Sequence, residues 1–151
     1  MMKRIIGTKK FKDSLKFAIN GLFEVHKTQR NFRIQTFIGL IALITALFLD
    51  LNGVKLLWIS FAVMLVLLME ALNTVIEKVL DYLHPDYSEI IGIIKDISAA
   101  VVLIASVFSI VIGTIIFGES IFKINPKYGI IIAIAFLVFI KFFSRGGKNN
   151  G

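Results

Sequence analysis

Residues Val54–Leu83, VKLLWISFAVMLVLLMEALNTVIEKVLDYL, pass from an apolar half into a half that carries Glu70, Asn73, Glu77 and Asp81. Leu56 to Met69 is uncharged, and Trp58 stands near one end, where indole rings settle at a membrane interface. The helical pattern continues to Leu83, so the segment reads as one helix of roughly 30 residues, or about 45 Å at ~1.5 Å per residue. A hydrocarbon core is ~30 Å thick. The helix is therefore expected to cross a bilayer and protrude on one side, its polar half forming the protruding end.

The rest of the chain agrees with a membrane setting. Of 151 residues 57% are hydrophobic, and the mean hydropathy is +0.85. There is no cysteine, which excludes a disulfide framework, a thiolate metal site and a thiol nucleophile. The net charge of +7 belongs to cations grouped around apolar runs, a pattern of topology and anionic lipid and not of a nucleic-acid groove. Residues 11–26 place Phe11, Leu15, Ala18, Ile19, Leu22 and Val25 at helical period, an amphipathic helix suited to lying on the membrane or on neighbouring helices. Residues 34–51 form span one, closed by the Asn-Gly turn of DLNGVK; residues 54–83 form span two; Pro85 ends it; and residues 97–117, free of charge, form span three. YGIIIAIAFLVFI, residues 128–140, makes a short fourth span if Lys141 snorkels, and RGGKNNG reads as a disordered basic tail.

With the first residues and the 81–96 connection inside, all 17 Lys and Arg fall on the cytoplasmic side except Lys55, Lys123 and Lys127. That asymmetry orients the protein with its N-terminus cytoplasmic. The opening MMKRIIGTKKFKDSLKF lacks an apolar stretch before a cleavage site, so no removable signal is expected.

Taking Glu70 as zero at ~100° per residue, Asn73, Glu77 and Asp81 fall near −60°, −20° and +20°, one face of the helix. Counted from Val54, Glu70 lies about 24 Å along, near the inner edge of the hydrocarbon. A carboxylate flanked by VLLM and AL costs a few kcal/mol in lipid, so it must face protein or water. Asp81 alone reads equally well as a solvated end. Grouped carboxylates at a dry-wet boundary suit proton acceptance or a hard cation such as Mg²⁺, which takes carboxylate oxygens, waters and phosphates. Lys95 and Asp96, across the connection at the start of span three, place a cation where phosphate oxygens would be neutralised. The pattern points to phosphoryl transfer onto a lipid hydroxyl. An ion pathway is the competing reading, but no relay of polar groups continues outward from Glu70.

The stretch EALNTVIEKVLDYLHPDYSEIIGIIKDISAAVVLIAS, with E-x-x-N-x-x-x-E-x-x-x-D followed by K-D and small residues, resembles the signature of the prokaryotic diacylglycerol kinase family, which includes undecaprenol kinases. RNFRIQ, residues 30–35, is similar to that family too, and the likeness covers about residues 10 to 117. It implies an all-α integral membrane kinase, a homotrimer with shared active sites, in which residues 1–117 form the kinase domain and 118–151 an extension outside the likeness. It implies transfer of the γ-phosphate of MgATP to a lipid alcohol at the cytoplasmic face of a bacterial membrane. Carried over by position, Glu70 matches the general base, Glu77 a metal-binding glutamate, and Asn73, Asp81, Lys95 and Asp96 polar residues around ATP. Where the family has a second metal-binding glutamate, three residues before Phe32, this chain has Gln29. Such a site keeps an oxygen but loses a charge, leaving the metal to Glu77 and the phosphates, to Glu24, or to a neighbouring subunit.

Undecaprenol is the favoured acceptor, on the Ile-, Lys-, Asn- and Phe-rich composition and NFRI, with diacylglycerol next. A nonenzymatic scaffold descended from the kinases is the alternative that Gln29 keeps open. His26 and His84 have no second ligand at useful spacing and read as interfacial or turn residues. Ser98, Ala99, Ala100 and Ala105 read as small residues for close helix packing, or as space left for a substrate or partner helix near Asp96.

Overall fold

A computed structural model describes residues 11–86 and 88–146. Five helices follow in order: α1 Phe11–Thr28, α2 Arg30–Phe48, α3 Gly53–Leu83, α4 Glu89–Phe122 and α5 Lys127–Gly146. No strand occurs among the described residues. The first ten residues and the tail beyond Gly146 lie outside them.

The long second span is one unbroken helix of 31 residues, as its uninterrupted pattern predicts. Asn52 caps it, its side-chain oxygen accepting from the Lys55 backbone N–H at 3.0 Å. At the other end His84 is the C-cap and Pro85 forbids a further turn. Span one is shifted from the sequence boundaries: α2 starts at Arg30, and Leu49 takes extended angles, so Leu49–Asn52 connects and the helix stops short of residue 51. Span three is longer than its apolar run, because nothing between Glu89 and Ile97 or between Gly118 and Phe122 breaks a helix; Lys95 and Asp96 therefore sit on the second turn of α4, not in a loop. Lys123, at φ 55, ends α4, and the Ile124 N–H returns to the Gly118 carbonyl at 3.0 Å.

The helices α3 and α4 form the principal pair, α2 packs on α3, α5 on α4, and α1 on α2. Ala46, Ile59 and Ile116 are buried where α2, α3 and α4 meet, with Leu43, Leu56 and Ile112 around them. Small residues set the spacing: a Cβ placed on Gly39 would come 2.6 Å from Val63 Cγ1, so α2 and α3 touch almost backbone to side chain there. At the end away from the acids, Lys55 of α3 donates to Glu119 of α4 at 2.8 Å. Glu119 lies past the apolar run, and the Lys55 hydrogen bond and then its charge hold the carboxyl below the ordinary value.

Leu40, Phe61, Met64, Leu68, Leu103 and Ile104 all project outward and exposed. In water such a surface would aggregate; against lipid tails it is the solvated face. Among the described residues α2, α3 and α4 are long and apolar enough to cross a membrane. The helix α5, with the apolar run expected to form a fourth span, lies along α4 from Gly129 beside Ile115 to Ile140 beside Ile104. The helix α1 buries none of its residues, and Phe11, Leu15 and Leu22 are exposed.

Candidate active site

The acids continue the packing stripe of α3. Ile59, Ala62 and Val66 face inward at three- and four-residue steps, and the next residues in that series are Glu70 and Asn73. Because α2 and α4 already cover that face, the helix carries its polar groups into protein. Glu70 is 3% exposed, Thr74 1% and Ser98, on α4, 5%. Buried polar groups persist only when hydrogen-bonded, and their partners define the site.

Glu70 Oε2 accepts from Gln35 Nε2 of α2 at 3.3 Å. The Thr74 hydroxyl donates to the Glu70 backbone carbonyl at 2.9 Å, a bond within α3 that occupies a buried donor. Ser98 Oγ donates to Asn73 Oδ1 at 2.6 Å, and Asn73 Nδ2 donates to Glu77 Oε1 at 3.0 Å. Asn73 is thereby fixed from both sides, and the half-buried Glu77 keeps its second oxygen for other partners. Two turns on, Lys95 Nζ of α4 meets Asp81 Oδ1 at 2.5 Å, a charge-assisted contact that aims the lysine along the same face. Below this, Lys78 pairs with Glu24 at 3.0 Å and ties α1 to α3.

Of the residues marked from sequence, Asn73 and, further along α3, Asp81 bond across to Ser98 and Lys95 of α4, Glu77 is held by Asn73, and Glu70 turns to α2. Two others stand apart. Asp96 is exposed on α4 and takes no part in these bonds. Gln29 is the half-buried residue between α1 and α2, its backbone N–H donating to Val25 at 2.8 Å, and its side chain makes no bond to Glu77. Among the described residues no three His, Asp or Glu side chains converge as a metal cage. The available donor beside Asn73 is the second oxygen of Glu77. That donor suits Mg²⁺ held mostly by phosphates and waters, since this ion keeps several waters and binds through one or two carboxylates.

Two members were not read from sequence as site residues. Ser98 was expected to be a packing residue; it is buried as expected, but it also orients Asn73. Its sequence signal is the three-residue step from Lys95, which puts both on one face of α4. Gln35 entered the sequence reading only as the last residue of RNFRIQ. Ala105 is buried between helices as expected, whereas Ala99 and Ala100 face outward.

An apolar cavity of about 430 Å³ is lined by Ile19, Leu22 and Phe23 of α1, Phe32 and Thr36 of α2, and Leu67 of α3. His26 also lines it, its ring edge-on to Phe32 at 6.3 Å. Leu67 lies one turn before Glu70 and Thr36 follows Gln35, although neither Glu70 nor Gln35 itself lines the cavity.

The sequence profile of the prokaryotic diacylglycerol kinase family matches residues 16–117, two-thirds of the chain. A diacylglycerol kinase of Synechocystis sp. is 35% identical over 101 residues, 66% of this chain and 58% of its own length. The diacylglycerol kinase of Escherichia coli K12 is 32% identical over 95 residues, covering 63% of this chain and 78% of its own. That of Haemophilus influenzae is 30% identical over 117 residues, 77% of this chain and 99% of its own. All three similarities are to phosphotransferases that take an alcohol acceptor. The matched region contains every residue of the network between α3 and α4 and stops before α5. On that match the chain belongs to the prokaryotic diacylglycerol kinase family.

Proposed function

We propose that this chain is an ATP-dependent lipid kinase that moves the γ-phosphate of MgATP onto the primary hydroxyl of a membrane lipid alcohol at the cytoplasmic face. The observation that supports this reading is the buried Glu70, hydrogen-bonded on one oxygen and one helical turn from Leu67, which lines an apolar cavity. A carboxylate there is placed to meet a hydroxyl whose tail lies in lipid. As the hydroxyl oxygen bonds to the γ-phosphorus, its proton passes to Glu70, and the bond from phosphorus to the bridging oxygen breaks to release ADP. General-base assistance of this kind contributes about 10²- to 10⁴-fold. Lys95, held by Asp81, offsets charge on the transferring group, and Asn73, held by Ser98, fixes Glu77. A magnesium ion on Glu77 and the phosphates would supply further positive charge to the triphosphate.

One chain offers a single lysine in this network, few cations for a triphosphate. A homotrimer in which a neighbouring subunit completes the nucleotide site, as the family resemblance implies, meets that need. Diacylglycerol follows from the relatives' names, and undecaprenol from composition; both present the same reacting group. The purified protein, reconstituted with equal amounts of both lipids and labelled ATP, is expected to give a labelled lipid phosphate. Glu70→Gln is expected to lower turnover at least 10²-fold without unfolding. Absence of any labelled lipid with either acceptor would leave the scaffold reading.

A further inference from the structure

We propose that Gln35 is a positioning residue for Glu70, a side chain that holds the same carboxylate oxygen before and after that oxygen's group takes up a proton. The inference rests on the reading of Glu70 as the base, and goes beyond it by assigning a role to a residue of α2 outside the acid stripe.

Gln35 Nε2 donates to Glu70 Oε2, while Gln35 Oε1 is buried and has no hydrogen-bond partner. A buried unmatched carbonyl oxygen forfeits its bond to water with nothing in return. A leucine at this position would avoid that cost in an otherwise apolar helix, so the amide is a poor choice for packing. Its unmatched end also means that nothing but Glu70 fixes which way the amide points. Turning it over about its last bond exchanges donor and acceptor. With Glu70 ionised, Nε2 donates to the carboxylate, as seen. With Glu70 protonated on its other oxygen, Oε2 still accepts from Nε2; with the proton on Oε2, the carboxyl O–H donates to Oε1 of the turned amide. Each position of the proton thus has a matched orientation, because a neutral amide, unlike an ammonium or a carboxylate, offers both a donor and an acceptor. Glu70 therefore need not swing away from α2 on gaining its proton.

The charged groups around this pair are otherwise engaged. On α2, Arg33 donates to the His26 and Lys27 carbonyls of α1 at 3.1 and 3.0 Å. On α3, Glu77 is held by Asn73 and Lys78 by Glu24 of α1. On α4, Lys95 is held by Asp81, and Asp96 is exposed. None of these bonds to Glu70, leaving Gln35 as the neighbour that answers its change of charge.

The test compares the full-length protein with Gln35→Leu and Gln35→Glu in lipid-kinase assays across pH, with thermal melting in detergent to confirm folding. Gln35→Leu is expected to lower kcat about tenfold with the KM for ATP unchanged, and to move the acidic limb of the rate profile to higher pH, because an ionised Glu70 has lost its donor. Gln35→Glu is expected to keep most of the activity when the new carboxyl holds a proton to share, and to acquire an alkaline limb where the two carboxylates repel. A Gln35→Leu enzyme with the wild-type kcat and pH profile overturns the inference, as does a Gln35→Glu profile with no new limb. Glu70→Gln separates the two levels: if it is inactive and Gln35→Leu is normal, only the positioning role fails; if it is active, the base assignment fails first.

Discussion

Ser98 shows how one hydroxyl decides the state of a neighbouring amide. Its bond to Asn73 Oδ1 fixes which end of Asn73 faces Glu77, so Ser98→Ala leaves a buried carbonyl oxygen unmatched and lets the amide turn. We expect about a tenfold fall in kcat with a smaller change in melting temperature, read by parallel turnover and unfolding assays. Gln29 calls for the opposite experiment. It contributes no charge toward a divalent cation, and Gln29→Glu is expected to raise activity when Mg²⁺ is limiting and to change little when Mg²⁺ is saturating; a magnesium titration reads this directly. An unchanged titration removes Gln29 from the metal site. At this scale the sequence placed Glu70, Asn73, Glu77 and Asp81 on one face of a helix, because spacing along a helix maps directly to a face. It did not disclose Gln35 and Ser98 as their partners, because pairing across helices depends on how two axes cross, which no single helix encodes.

The α2–α3 contact shows the same limit for a whole element. Gly39 appears in the sequence as one more small residue in an apolar run, yet it is where Val63 of α3 presses in. Gly39→Ala is expected to cost about 1–3 kcal/mol, since Val63 is branched and has no free end to swing away. Adding Val63→Ala should return most of that stability, measured by melting in detergent; a double variant no more stable than Gly39→Ala would place the contact elsewhere. The helix α3 was legible almost to the residue, from Asn52 as cap to Pro85 as stop. The ends of α2 and α4 were less so. Hydropathy marks where a chain enters lipid, whereas a helix continues until its backbone hydrogen bonds are interrupted, and neither Arg30–Arg33 nor Glu89–Asp96 contains an interruption.

For the molecule as a whole, composition revealed a membrane protein and helical periodicity its spans, and the pairing of helices places the buried polar groups at one end of α3 and the Lys55–Glu119 clasp at the other. Nothing between Gly53 and Leu83 bends: no proline, no internal glycine, one continuous rod of 31 residues. A rod that does not kink can meet a thicker or thinner bilayer by leaning more or less steeply. Leaning raises or sinks Glu70 relative to the plane of the headgroups, and with Glu70 as the proposed base the lipid matrix itself would become a control on catalysis. Turnover in vesicles of graded acyl-chain length is accordingly expected to pass through a maximum, falling both where the carboxylate sinks below the reach of nucleotide and where it rises clear of the acceptor's tail. A rate indifferent to chain length would mean that the acid travels with the headgroups by some other accommodation. A cell that shortens or lengthens its fatty acids with temperature would, through this one stiff helix, retune the enzyme without making a new protein.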